Sequence, residues 1–126
     1  MEAAMVQRIP PGERVDGPST AGMVRSQAVV SERMWAGLVR TEPGMVSGWH
    51  HHGDHESAIF VVSGMLRMEF GPGGGEAFDA VPGDFVYVPE GAVHRESNPS
   101  DEPADIVVVR AGSGESVFNV DAPATP

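Results

Sequence analysis

Apolar and polar positions along this chain change places over short distances. Apolar-rich runs fall at residues 23–30, 34–41, 45–52, 58–63, 65–70, 76–80, 84–88, 92–97, 106–110 and 116–120. Glu42-Pro43-Gly44, the Gly-Pro-Gly stretch from Gly71, Pro82-Gly83-Asp84, Pro89-Glu90-Gly91, residues 98–103 and Gly112-Ser113-Gly114 separate them. Proline fixes φ and glycine admits φ > 0, so these clusters read as turns. No window keeps a 3.6-residue period, and no helix beyond a turn or two is expected. Many short strands joined by tight turns predict an all-β protein, a sandwich or barrel.

Two kinds of strand are expected. Leu66-Arg67-Met68-Glu69-Phe70 alternates apolar and charged residues, so one of its faces is wet. Ala58–Val62, Phe85–Val88 and Ile106–Val109 are apolar on both faces. A lone small barrel does not bury the outer face of its strands, so a second surface must cover them. A homodimer supplies one, and residues 1–40 of the same chain are the other source.

The chain has 126 residues and a mass of 13.3 kDa, the size of one domain. Residues 1–22 are expected to be an arm or edge strand, 23–120 the barrel and 121–126 a flexible tail. The absence of cysteine rules out disulfides, thiolate metal sites and thiol nucleophiles. All eight basic residues are arginine, set against 18 acids, for a net charge of −10. Such a chain is repelled by phosphate backbones and anionic bilayers, so neither nucleic acid nor membrane is expected as a partner. No apolar run approaches the roughly 20 residues of a membrane span. The first residues do not read as a signal peptide, and a cytoplasmic location is expected.

Four of the five histidines fall within six residues, at His50, His51, His52 and His55; the fifth is His94. Side chains alternate along a strand, so His50 and His52 share a face and His51 points away. Two imidazoles on one face hold two coordination positions of a transition metal, and further ligands must come from elsewhere in the fold.

The spacing around both histidine stretches carries more information. Gly44, five residues, His50-x-His52, Glu56 and Gly64 form one pattern. Gly83, five residues, Pro89-x-Gly91, two residues, His94, three residues and Asn98 form a second. In order along residues 43–98, these closely resemble the two motifs of the cupin superfamily. The resemblance implies a single-domain cupin-type β-barrel, or jelly roll. In that fold the histidines of both motifs meet on one divalent metal inside one end of the barrel.

Carried onto this chain, the family's ligands become His50, His52, a glutamate and His94. Glu56 keeps the three-residue spacing from His52, whereas counting back from Gly64 puts the acid's usual place at Ser57. A slip of one residue turns a side chain to the other face. Three arrangements stay open: Glu56 ligates from a bulge or loop, His55 replaces it, or three histidines leave positions for water. Imidazoles alone lean toward Zn, Ni, Cu or Fe, and a carboxylate favours Mn or Fe. An uncompensated cation in a dry pocket also attracts anionic ligands such as carboxylates or enolates.

Regular strands would turn Val46, Gly48, Ile59 and Val61 toward the interior. Arg95 and Glu96 flank His94, as solvent-facing charges or with one of them touching a ligand. The chain has no lysine and one tyrosine, so a general base would be Glu56, His55 or metal-bound hydroxide. The functional expectation is a metal-dependent enzyme on a small oxygenated or carboxylate-bearing molecule, of dioxygenase, isomerase or decarboxylase type. The alternative is a non-catalytic cupin that binds a small molecule or metal as a sensor or accessory protein.

Overall fold

The structure is a computed structural model that describes residues 4–18 and 20–125. Residues 1–3 and 19 of the expected arm, and residue 126 of the expected tail, lie outside the described residues. Eleven strands are formed among the described residues: β1 (Val15–Asp16), β2 (Met23–Val30), β3 (Met34–Thr41), β4 (His50–His51), β5 (Glu56–Ser63), β6 (Leu66–Phe70), β7 (Glu76–Ala80), β8 (Phe85–Val88), β9 (His94–Ser97), β10 (Ala104–Ala111) and β11 (Phe118–Asn119). The helical pieces among the described residues are two single 3₁₀ turns, Pro11–Glu13 and Pro72–Gly74. No helix among these residues is long and apolar enough to cross a membrane.

The strands form two antiparallel sheets. One has the order β1-β2-β3-β10-β5-β8 and the other β11-β4-β9-β6-β7. From β7 to β11 successive strands alternate between the sheets, which folds the chain into a jelly roll. Turn chemistry fixes the corners. Gly83 (φ +95°) and Gly91 (φ +69°) occupy left-handed conformations in the two proline turns. Gly64 (φ +78°) is also held by space, because a Cβ there would stand 2.6 Å from Ala104 Cα.

Period-two alternation sets the inner face. On β5, Ser57, Ile59 and Val61 are buried while Glu56, Ala58 and Val62 are exposed. On β10, Ala104, Ile106 and Val108 are buried. Ile59, Val61, Ile106 and Val108 join Val39, Leu66, Met68, Ala80, Val86 and Val88 in one core drawn from both sheets. The wet face of β6 carries Arg67 paired with Asp79 (2.7 Å) and Glu69 paired with Arg95 (2.8 Å). Each pair crosses between directly opposed residues of adjacent strands.

Two of the expected strands are shorter in the structure, 116–120 being reduced to Phe118–Asn119. The expected strand 45–52 contracts to His50–His51. Before it, Met45 is buried, but Val46 is 61 % exposed and bridges Ser97. Val46 and Gly48 nevertheless line the cavity between the sheets, although regular strand begins only at His50. At the C-terminus, the carbonyl of Ala124 accepts a hydrogen bond from Gly73 N–H (3.1 Å), which lays this end of the chain against the Pro72–Gly74 turn.

Candidate metal centre

The two histidine stretches meet. β4 pairs with β9, with His50 directly opposite His94. The ring centroids of His50, His52 and His94 lie 4.4–5.2 Å apart in all three pairs. Glu96 joins them. It stands two residues after His94 on β9, and so on the same face. One potential ligand atom from each of His50, His52, His94 and Glu96 lies within 4.8 Å of the others. His94 is 3 % exposed, His52 6 %, Glu96 7 % and His50 9 %.

Hydrogen bonds orient every imidazole. Nδ1–H of His50 donates to the Gly48 carbonyl (2.8 Å), that of His94 to the Ala92 carbonyl (2.9 Å) and that of His52 to the Ser116 carbonyl (2.6 Å). A carbonyl oxygen only accepts, so each Nδ1 carries the proton and each neutral ring keeps its Nε2 lone pair free. Backbone partners of this kind fix the ring and tautomer of metal-binding histidines. The Nε2 atoms of His50 and His94 face the same Glu96 oxygen, at 3.4 and 3.5 Å. Acceptor atoms packed this closely, away from water, repel unless a proton or a metal cation lies between them. Two ligands each ~2.1 Å from one ion are at most about 4 Å apart, so a small contraction of the group closes it on a divalent ion. The residues present fit such an ion.

The charges respond to this crowding. Burial pushes His52 down to about 3, with the Arg110 guanidinium acting the same way. Burial also opposes a charge on His50, but the Glu96 carboxylate and the Gly48 carbonyl outweigh it and raise its pKa above the ordinary value. Burial acts to raise Glu96, yet His50 and His94 overcome it and hold the carboxyl well below the usual carboxylate range. Glu96 is thus an anion in the interior.

The remaining candidates lie elsewhere. Glu56 is not the acid of this group. It opens β5 on the outward side opposite Ala111, and the inward place belongs to buried Ser57. His55 also stands outside the group. It sits in the turn before β5 with Nδ1–H donating to the His52 carbonyl (3.0 Å), and it lines the same cavity. His51 turns away and stacks on Phe118 at 4.9 Å between centroids. Arg95 pairs with Glu69 and lies 4.7 Å over the Trp49 ring. Asn98 closes β9. Its side-chain oxygen accepts from Ser100 N–H (3.1 Å) and its amide donates to the Glu102 carbonyl (2.8 Å).

The donor set opens into a cavity of about 630 Å³ between the sheets. Trp35, Val39, Ile59 and Val108 supply apolar walls. This size falls in the range of small-molecule sites.

The fold is a jelly-roll β-barrel that gathers three oriented imidazoles and one buried carboxylate, a group able to hold a metal ion, at a cavity. The chain belongs to the cupin family, whose Cupin domain matches residues 37–110, more than half of its length. No curated protein matches it significantly. Among solved structures, it is similar to an uncharacterized conserved protein with a double-stranded beta-helix domain from Klebsiella pneumoniae. That match has a TM-score of 0.73 and 22 % identity, and covers 93 % of this chain and 99 % of the other. The polyketide cyclase RemF from Streptomyces resistomycificus matches with a TM-score of 0.76 and 18 % identity, covering 92 % and 86 %. Bacillus subtilis oxalate decarboxylase matches with a TM-score of 0.67 and 26 % identity over 81 % of this chain but 29 % of its own length.

Replacing a donor should remove binding. His52→Ala, His94→Ala and Glu96→Gln are each expected to weaken divalent-metal affinity by about 100-fold or more, since loss of even an outer partner costs 10–100-fold. His51→Ala and Glu56→Gln should leave it within a few-fold. Calorimetric metal titration of the five proteins separates Glu96 from Glu56 as the acidic ligand.

The pH dependence has a definite sign. Only neutral imidazole binds a metal, and the raised pKa of His50 brings proton competition in above the ordinary value of about 6.5. Affinity should therefore fall steadily from neutral pH to pH 5, with up to tenfold loss per pH unit for each displaced proton. Competition against a chelator of known pH dependence measures this. Constant affinity from pH 8 to pH 5 would contradict imidazole ligation.

Proposed function

We propose that this protein is a metal-dependent enzyme acting on a small oxygenated or carboxylate-bearing molecule. The observation that carries the reading is the junction of the buried His50, His52, His94 and Glu96 with an apolar-walled cavity. A purely structural metal site is closed on all sides by protein, whereas a catalytic one keeps a position open. A divalent ion bound there supplies Lewis acidity toward a substrate oxygen. Glu96 lowers the net charge of the donor set and so admits the harder Mn and Fe beside Zn, Ni and Cu. His55 lines the same cavity with its Nδ1–H committed to the His52 carbonyl, which leaves Nε2 as a proton acceptor for substrate. Ile59 and Val108 exclude water from the inner wall. Oxalate decarboxylase and a polyketide cyclase among the structural neighbours support chemistry on oxygen-rich substrates. Dioxygenation, isomerisation and decarboxylation each draw on these same residue roles, and a fold does not choose among them.

The test is turnover of a panel of small organic acids and oxygenated aromatics by protein loaded in turn with Mn, Fe, Zn, Ni and Cu. Activity should vanish on chelation, return with metal, and fall in His55→Ala with metal affinity retained. Metal binding without turnover across the panel would favour the sensor or accessory reading instead.

We also propose a homodimer through the outer face of β5 and β8. Phe85 is 76 % exposed and Tyr87 64 %, beside exposed Val62, and Phe60 packs against Phe85 at 4.9 Å between centroids. β1 and β2 extend the opposite edge of this sheet, so these strands do not cover that patch. Exposed apolar area of this kind marks an interface. Sedimentation equilibrium should give twice the chain mass, and Phe85→Glu with Tyr87→Glu should return it to one.

A further inference from the structure

The cavity holds two cations that the metal donors do not use. Arg110 on β10 follows Ala104, Ile106 and Val108 in the inward alternation and stands in register with Trp35 on β3 and Ser57 on β5. Arg25 on β2 stands in register with inward-facing Val39. Both guanidiniums line the cavity. Arg110 donates through Nε–H to the Ser57 hydroxyl (3.2 Å), and no other hydrogen bond from its guanidinium is formed among the described residues. Four of its five N–H donors are thus left over. Arg25 donates to the Pro18 carbonyl (3.1 Å), the Thr20 hydroxyl and the Met23 sulfur, all of them neutral.

Neither arginine has a carboxylate within ion-pair distance among the described residues. Arg40, Arg67 and Arg95 each do. The contrast matters in a chain with 18 acids and a net charge of −10. Acidic groups are plentiful, yet those that line the cavity are Glu96, which faces His50 and His94, and exposed Glu32. A half-buried guanidinium without a paired carboxylate is costly, and an entering anion relieves that cost. Burial lowers the pKa of both arginines, and the Glu96 carboxylate, outside ion-pair distance, opposes this only in part. The walls between are apolar, with Met23, Trp35, Val39 and Ile59, and the volume of about 630 Å³ far exceeds that of a two-carbon acid.

We propose that Arg110, with Arg25 adding positive charge, forms an anion subsite that binds the carboxylate of an organic acid with an apolar, ring-sized body. The Arg110 fork takes the carboxylate by two N–H donors, Trp35 and its apolar neighbours take the body, and an oxygen of the ligand is directed to the His50, His52, His94 and Glu96 group. This rests on the metal-site reading above for the last contact alone.

The experiment compares 2-naphthoate with its neutral isostere 2-naphthamide by isothermal titration, on metal-loaded and on chelator-treated protein. Mn²⁺ and Zn²⁺ titrations are run on the same samples. The acid should bind about tenfold or more tighter than the amide, the scale of one charge-assisted contact. The preference should persist after chelation. Arg110→Gln should bring the ratio close to one with metal affinity unchanged within a few-fold, Arg110→Lys should keep part of the preference, and Arg25→Gln should reduce it. If Arg110→Gln does not fold, Arg110→Lys and Arg25→Gln carry the test. Equal binding of acid and amide, no binding of either, or a preference untouched in the folded variants overturns the subsite. Loss of metal binding with the preference intact would instead overturn the metal reading and leave the subsite standing.

Discussion

Three imidazole lone pairs and one carboxylate point at a common space from which water is largely excluded. That arrangement repels itself when empty of positive charge, and the fold pays for it with its other contacts. The three Nδ1–H groups are each tied to a backbone carbonyl, so none of the rings can turn its proton inward without losing a hydrogen bond. A proton on His50 Nε2 relieves this in part through Glu96, and a cation relieves it for all four donors, whose chemistry suits a divalent one. The cavity, its arginines and the proposed activity take their meaning from this one electrostatic requirement.

The requirement is met by the simplest property of a strand. His50 opens β4 and His52 follows it by two residues; His94 opens β9 and Glu96 follows by two. Antiparallel pairing sets His50 opposite His94, so two short X-x-X segments place four donors on one side of one sheet. The larger sheet closes the other wall with Ile59, Val61, Ile106 and Val108, all nearly or wholly buried. The same alternation that buries these valines and isoleucines carries Arg110 inward at the far end of β10.

Much of this was legible before any coordinates. The strands 23–30, 34–41 and 76–80 begin and end where the apolar pattern places them, because turn residues bracket them on both sides. The two glycine-anchored motifs led to the family and to His50, His52 and His94 as one cluster. The acid was read differently. Glu56 satisfied a spacing along the chain, but spacing does not reveal that it lies one step before the inward residue Ser57 on β5. Glu96 carried the needed signal, since it shares strand parity with His94, yet a charge beside Arg95 also reads as a surface pair. Arg95 does pair at the surface, with Glu69. The loss of regular strand over 45–49 was hidden for a related reason: Met45 and Val46 look like strand residues, and their pairing is reduced to a single bridge with Ser97, far away in sequence.

The most direct measurement is anomalous scattering from crystals of the metal-loaded protein, with the ion identified from its absorption edge and its ligands read from the map. The account expects a single divalent ion held by Nε2 of His50, His52 and His94 and by a Glu96 oxygen, with open positions toward the cavity. An ion bound instead through Glu56 or His55, or no ion at this group under saturating metal, would contradict it.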